Sequence, residues 1–186
     1  MFFVYDDNFL TEEEIKAFED IYYDEGNKWT YFPLVQDGYI DHPGVIDTHV
    51  EDVPYFTHCP NENSAVYNAG KELALKFLTK HNIEFKDFTR VKFNITPWSP
   101  VEKTLYPHID THDPHYVFLY YVNDSDGDTF LYEQTASYEK LTEATVAKRI
   151  TPKRGSAWVV DGAYYHSVSP PNRTNLRAIV NINLSR

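Results

Sequence analysis

Leu176-Arg177-Ala178-Ile179-Val180-Asn181-Ile182-Asn183-Leu184 declares itself a β-strand more plainly than any other stretch of the chain. Leu176, Ala178, Val180, Ile182 and Leu184 recur at every second position, and side chains alternate faces along a strand, so all five share one apolar face. Arg177, Asn181 and Asn183 fall on the other face. Burying a guanidinium among amides is costly unless an anion meets it. Taken alone, the strand reads as core on one side and solvent on the other.

Working back from this strand to Asp87, the chain keeps the same character. Candidate strands cover 88–95, 104–109, 115–122, 128–133, 145–151, 156–160, 164–168 and 176–184. Turn-forming residues separate them: Pro97 and Pro100, Asp113-Pro114, Asp126-Gly127, Pro152 with Gly155, Asp161-Gly162 and Pro170-Pro171-Asn172. Eight short strands at nearly even spacing predict a jelly roll of the cupin-like kind, a double-stranded β-helix. The 15 Tyr and 12 Phe suit strands as well.

The first 87 residues read differently. Residues 2–5 suit a short edge strand. Thr11 and Glu14 have the spacing of a capping box, and Ile15, Phe18, Ile21 and Tyr22 recur at helical spacing, so a helix is expected over 11–24. Gly26 and Asn27 stop it. A second helix is expected over about 62–80, with Val66, Leu73, Phe77 and Leu78 on its buried side. Between them, 29–60 holds Pro33, Gly38, Pro43, Gly44 and Pro54 with no long period, which reads as an irregular, aromatic-rich lid or substrate loop. The expected fold is mainly β with N-terminal helices. A single domain spans 1–186, with 1–87 as a helical and irregular support and 88–186 as the jelly-roll core.

Composition narrows the function classes. A chain of 186 residues with 42% hydrophobic and 16% aromatic content is globular. A net charge of −11 argues against broad nucleic-acid binding, which needs clustered Lys and Arg, and against anionic membrane surfaces. Cys59 is the single cysteine, so an intramolecular disulfide is excluded. Residues 1–10 contain Asp6 and Asp7 and no basic cluster, unlike a signal peptide. No apolar run approaches the roughly 20 residues that cross a bilayer as a helix. The expectation is a soluble cytoplasmic protein.

The residues with the sharpest chemistry are His108-Ile109-Asp110 and His166. Two imidazoles and one carboxylate are the donor set of the facial triad of non-haem Fe(II) oxygenases, which leaves coordination positions open. His and Asp two residues apart suit a strand end entering a turn, and a ligand 56 residues beyond Asp110 must come from another strand. Arg177 follows His166 by 11 positions and offers a counter-charge to an acidic co-substrate.

The wider text then resembles one family. His108-Ile109-Asp110, His166 and Arg177 look like the H-x-D…H…R pattern of the Fe(II)/2-oxoglutarate-dependent dioxygenases. Leu119-Tyr120-Tyr121-Val122-Asn123 and Asp126-Gly127-Asp128-Thr129-Phe130 resemble the YYLN…GG-x-T-x-F stretch of the prolyl-4-hydroxylase-like branch. The segment 152–161 resembles that branch's strand before the distal His, and His166-Ser167-Val168-Ser169-Pro170 resembles its H-x-V-x-P. The likeness covers about 88–184; Tyr5-Asp6-Asp7-Asn8-Phe9-Leu10 before an acidic helix is a common opening in the family. Two departures stand out. Gly127-Asp128 replaces a pair of glycines. The basic residue lies at eleven rather than nearer ten, with Arg173 at seven as a competitor. Arg177 is favoured because it lies inside the last strand.

The resemblance implies Fe(II) held by His108, Asp110 and His166, with 2-oxoglutarate as co-substrate and ascorbate as an accessory reductant. Arg177 would pair with the distal carboxylate of 2-oxoglutarate, as a fork where geometry allows. Tyr121 would donate its hydroxyl to the same carboxylate, and Thr129 could do likewise. The retained Asp110 favours hydroxylation over halogenation, because related halogenases lack that carboxylate. The resemblance favours hydroxylation of a C–H bond in a peptide or protein residue, prolyl-hydroxylase-like, with release of succinate and carbon dioxide; a free amino acid or a small metabolite also fits. The rivals are a cupin-like metal protein that does not use 2-oxoglutarate, and a noncatalytic jelly-roll module.

Other residues carry weaker readings. His112 and His115 read as solvated rim residues, and His42, His49, His58 and His81 lack a pattern. Arg90, Lys92 and Asn94 share one face of a strand, where one of them could hold a carboxylate or a substrate carbonyl, or all could face solvent. Asn181 and Asn183 are cavity candidates. Trp98, Tyr106, Trp29, Tyr31 and Phe32 could frame a substrate groove, although most aromatics in such a set prove to be packing. Asp124-Ser125-Asp126-Gly127-Asp128 puts Val122 at the first ligand position of a calcium loop, so an Asp-Gly hairpin turn is the better account.

Overall fold

The computed structural model describes residues 1–32, 53–100, 104–136 and 144–186. Among them the elements run β1 (Phe3–Asp6), α1 (Glu12–Tyr22), β2 (Thr30–Phe32), β3 (Tyr55–His58), α2 (Ala65–Lys80), β4 (Asp87–Pro97), β5 (His115–Tyr121), β6 (Thr129–Thr135), β7 (Val146–Ile150), β8 (Ala157–Asp161), β9 (Tyr164–Val168) and β10 (Leu176–Ser185). Two antiparallel sheets result, one in the order β1-β8-β5-β10-β4-β3-β2 and one in the order β7-β6-β9. Mostly antiparallel sheets with two short helices fit a jelly-roll-like fold.

The helices form where the caps and periods say. Glu14 N donates to Thr11 Oγ1 (3.3 Å) and Thr11 N donates to Glu14 Oε2 (2.8 Å), closing the capping box at the start of α1. In α2 the cap is Ser64, whose hydroxyl accepts from Tyr67 N at 3.2 Å, so the helix begins three residues later than 62. Val66, Leu73, Phe77 and Leu78 are its buried face, as the period requires. Phe18 and Tyr22 of α1 join Phe77 against Phe93, Tyr120, Val180 and Ile182 of the large sheet. Gly70 permits the close approach of α2, since a Cβ there would lie 3.2 Å from the ring of Phe93.

The large sheet is buried on both faces. Phe118 and Tyr120 of β5 meet the helices, whereas Val117, Leu119 and Tyr121 pack with Leu131, Trp158 and Val160 toward the small sheet. This is why β5 reads as an unbroken apolar run rather than an alternation. The same burial corrects the reading of β10. Its polar face does not meet solvent: Arg177 is 2% exposed, Asn181 9% and Asn183 3%.

Three further expectations change. The run 104–109 is not a strand; it contributes only an isolated bridge between His108 and His166, and Pro107 supplies no amide to a ladder. The segment 29–60 is not wholly irregular, because β2 and β3 pair there and extend the sheet from β4. Its aromatic and β-branched residues suit strands, and the intervening prolines and glycines hide them. The lid reading of 33–52, with His42 and His49, lies outside the described residues. Asp126-Gly127 is not a hairpin turn, since β5 and β6 belong to different sheets. It is a crossing between them.

Candidate metal and co-substrate site

A reciprocal backbone pair builds the first half of the site. His108 N donates to His166 O and His166 N donates to His108 O, both at 2.9 Å. Two residues 58 apart in sequence thereby stand side by side, with ring centroids 4.5 Å apart. Asp110, two positions beyond His108, returns to the same side. Its Oδ1 lies 4.0 Å from His108 Nε2 and 3.8 Å from His166 Nε2. One ligand atom from each of the three residues lies within 4.8 Å of the others.

The state of these atoms is compatible with metal ligation. His108 Nδ1 sits 3.2 Å from Tyr106 O, which suits a proton on Nδ1 and turns Nε2 toward Asp110. His166 Nε2 is buried without a hydrogen-bond partner, a state that an ion would relieve. Burial lowers the pKa of both imidazoles, and the neighbouring His108 helps bring His166 to about 4, so both are neutral at pH 7. Burial opposes the charge on Asp110. The Arg90 guanidinium outweighs it and holds the carboxyl well below the usual range. Arg90 Nη2 lies 2.6 Å from Asp110 Oδ2 and is steadied by Asn181 Oδ1 (3.2 Å) and Asn183 Oδ1 (3.3 Å). The two asparagines therefore act on the arginine behind the triad, and Asn183 does not line the cavity.

The second half lies along β10 and β6. Arg177 Nε donates to Gly127 O (2.9 Å) and Nη2 donates to Thr129 Oγ1 (2.7 Å). Its guanidinium sits 5.6 Å from the centre of the Tyr121 ring. Tyr121 donates its hydroxyl to Thr129 Oγ1 (2.8 Å) and accepts from Trp158 Nε1 (3.0 Å). Arg177 and Thr129 line the cavity, while Tyr121 stands one step behind them. Burial lowers the pKa of Arg177, and among the described residues no carboxylate is paired with it. Gly127 makes room: a Cβ there would lie 2.9 Å from Ser169 O and 3.0 Å from Arg177 Cδ. Asp128, in place of a second glycine, is accommodated because its carboxylate turns to the surface guanidinium of Arg149 and its amide to Ser169 Oγ.

The remaining candidates fall on either side of the cavity wall. Asn94 and Asn181 line it, with Arg90, Lys92, Tyr55 and Thr96. Trp98 does not; it is 53% exposed and donates its Nε1 to Asn172 O. Tyr106 supplies a carbonyl to His108 rather than a cavity surface. Arg173 is on the outside, its side chain 83% exposed, in a turn organised by Asp126, which accepts from the amides of Asn172, Arg173 and Thr174. His115 is not a solvated rim residue. It is buried against Gly162, with Nδ1 2.7 Å from Asp113 O. His58 and His81 are engaged by Lys28 O and Asp6. Trp29 packs on Tyr22, and Phe32 stacks on the cavity residue Tyr55. Tyr55 and Thr96 escaped sequence reading. Thr96 shares the alternation of Arg90, Lys92 and Asn94, but nothing local says which face of β4 is the cavity.

No family model matches the chain, and no curated protein matches it. Solved structures do. A prolyl hydroxylase from Trichoplax adhaerens, in complex with a hypoxia inducible factor oxygen degradation domain peptide, superposes with a TM-score of 0.65 at 15% identity, over 98% of this chain and 83% of that one. A 2OG-Fe(II) oxygenase family oxidoreductase from Burkholderia pseudomallei gives 0.68 at 11% identity, over 98% and 84%. HygX from Streptomyces hygroscopicus, with nickel and 2-oxoglutarate bound, gives 0.59 at 9%, over 98% and 82%. The chain has the fold of the 2OG-Fe(II) oxygenases, prolyl hydroxylases among them.

Proposed function

We propose that the chain is an Fe(II)- and 2-oxoglutarate-dependent dioxygenase that hydroxylates a substrate C–H bond. The observation that carries this is the cavity itself: a two-His, one-carboxylate cluster and a buried arginine with no carboxylate partner among the described residues line the same space. His108, Asp110 and His166 would hold Fe(II), the metal this donor set suits. The bound metal would supply activation of dioxygen, with 2-oxoglutarate, dioxygen and substrate R–H giving succinate, carbon dioxide and R–OH.

The chain's own groups divide the remaining work. Arg177 binds the distal carboxylate of 2-oxoglutarate through a charge-assisted pair, and Thr129 lies beside it as a hydroxyl partner. Tyr121 keeps Thr129 and Arg177 in place from behind. Arg90 fixes the rotamer of Asp110 so that Oδ1 faces the imidazoles. Leu119, Val168 and Ile179 give the cavity apolar wall and limit water. The prolyl-hydroxylase resemblance and fold support a peptide residue or a small molecule as substrate. We also read 1–186 as one domain closed as a double-stranded β-helix. The single exposed Cys59 suits a cytoplasmic protein, and among the described residues no helix is long and apolar enough to cross a membrane.

The test is anaerobic titration of 2-oxoglutarate into the Fe(II)-loaded protein. A weak visible metal-to-ligand charge-transfer band is expected. Iron bound without that band would move the reading to a cupin-like metal protein that does not use 2-oxoglutarate.

A further inference from the structure

Among the described residues, the cavity wall carries more positive charge than the proposed co-substrate needs. Its described lining holds three cationic side chains, Arg90, Lys92 and Arg177, against one carboxylate, Asp110. That leaves a net +2 inside a chain whose formal charge is −11. A divalent metal and a doubly ionised 2-oxoglutarate cancel each other, so the surplus persists when both are bound. Arg90 is matched to Asp110, and Arg177 to the distal carboxylate. Lys92 is left over.

Lys92 has no carboxylate partner among the described residues. Its ammonium lies over the ring of Tyr55, 5.1 Å from the centroid, and that ring also lines the cavity. Burial and the nearby Arg90 lower its pKa, which is the state of a cation short of a counter-ion; Asp110 is close enough to act on it in the opposite sense. The register separates it from the co-substrate arginine. Arg177 pairs with Thr96 and Asn181 pairs with Lys92, so Lys92 is four residues along β4 from the Arg177 position, about 13 Å of strand. A five-carbon diacid with its distal carboxylate at Arg177 and its other end at the metal has both carboxylates engaged, and leaves none for Lys92. Between the two lies Asn94, whose Oδ1 is buried without a hydrogen-bond partner. Ammonium and amide thus sit on one wall, beside the triad and away from Arg177.

We infer that the substrate oxidised here carries an anionic group on its reacting unit, a carboxylate or a phosphate, bound by the ammonium of Lys92 with Asn94 as neighbouring polar contact. The inference rests on the dioxygenase reading of the triad. It places the anion beside the C–H to be oxidised, so that one contact both selects the molecule and orients it.

The experiment uses the whole protein loaded with redox-inert Mn(II) and saturated with 2-oxoglutarate. Acetate and inorganic phosphate are each titrated in by calorimetry, into the wild type, Lys92→Met and Lys92→Arg. At least one anion is expected to bind the wild type; which one identifies the source of the charge. Lys92→Met is expected to weaken that anion at least tenfold while leaving Mn(II) and 2-oxoglutarate affinity unchanged. Lys92→Arg, which keeps the charge, is expected to retain most of the anion affinity. Binding of neither anion, or equal binding to Lys92→Met, would overturn the inference. So would loss of 2-oxoglutarate affinity in Lys92→Met, which would give the lysine to the co-substrate. Failure of the wild type to bind Mn(II) or 2-oxoglutarate at all would instead remove the dioxygenase reading, and this inference with it.

Discussion

Arg177→Met separates a ligand-binding arginine from a structural one. In the ligand-free protein Arg177 is a buried cation with two neutral acceptors, Gly127 O and Thr129 Oγ1. Removing it leaves the Gly127 carbonyl without that donor, a cost of ~1–3 kcal/mol, but also removes the burden of desolvating a guanidinium, which buried apolar replacements often recover. Thr129 keeps the hydroxyl of Tyr121. The two effects offset, so ligand-free stability in urea should change by no more than about 2 kcal/mol in either direction. Affinity should behave otherwise. Losing one partner of a buried charge pair costs about 2–5 kcal/mol, or roughly 30-fold to several thousand-fold in Kd. Calorimetric titration of 2-oxoglutarate into the Mn(II)-loaded variant reads that loss directly. An affinity within twofold of wild type would refute the assignment, whatever happened to stability. Arg173→Ala, on the surface, should leave the affinity where it was.

Other outcomes follow from the same geometry. His108→Ala, Asp110→Ala and His166→Ala should each abolish stoichiometric Fe(II) binding in anaerobic dialysis; normal binding in any one would remove that residue from the triad. Arg90→Met should weaken metal binding by about 10–100-fold, the usual effect of losing a partner behind a ligand, and should raise the pH at which Asp110 protonates and the metal leaves. An unchanged pH profile of metal binding would contradict that. The folded-state pKa of His166, about 4, lies below its unfolded value of about 6.5. Unfolding therefore takes up a proton between those values, and metal-free stability should be full above pH 6.5 and fall by up to ~3 kcal/mol toward pH 4. Urea titrations at pH 4.5 and 7 check it, and equal midpoints would sink it. Phe77→Ala, at a fully buried position between α2 and the large sheet, should cost ~3–5 kcal/mol by the same assay; a cost under 1 kcal/mol would mean the site collapses around the gap.

What the sequence could say depended on whether the information was local. The β10 alternation and the capping box at Thr11 are local, and both elements stand where their residues put them. Which face of β10 meets solvent is a tertiary fact. It turns on the small sheet folding over the large one, and no count of periods contains it. The same holds for Arg90, Lys92 and Asn94, whose alternation is visible and whose orientation is not. Asp126-Gly127 looked like a hairpin because turn chemistry is the same whether the chain returns to its own sheet or crosses to another. β2 and β3 escaped because three- and four-residue strands leave too short a pattern among prolines. The spacing of His108, Asp110 and His166 suggested ligands. The reciprocal bridge that sets two of them side by side involves only backbone, and the sequence is silent on it.

β10 separates two kinds of mutational consequence along a single segment. Ala178, Val180, Ile182 and Leu184 belong to the core beneath the helices, whereas Arg177, Ile179 and Asn181 line the cavity. Changes at the first set are felt as folding defects. Changes at the second reach the reaction chamber while the helix-facing core keeps its residues. A lineage carrying this strand can therefore vary the cavity without dismantling the helix-facing core, and a directed-evolution library confined to 92 and 94 of the neighbouring β4, which leaves Arg90, Asn181 and Arg177 in place, would vary the cavity wall with the contacts to Asp110 intact.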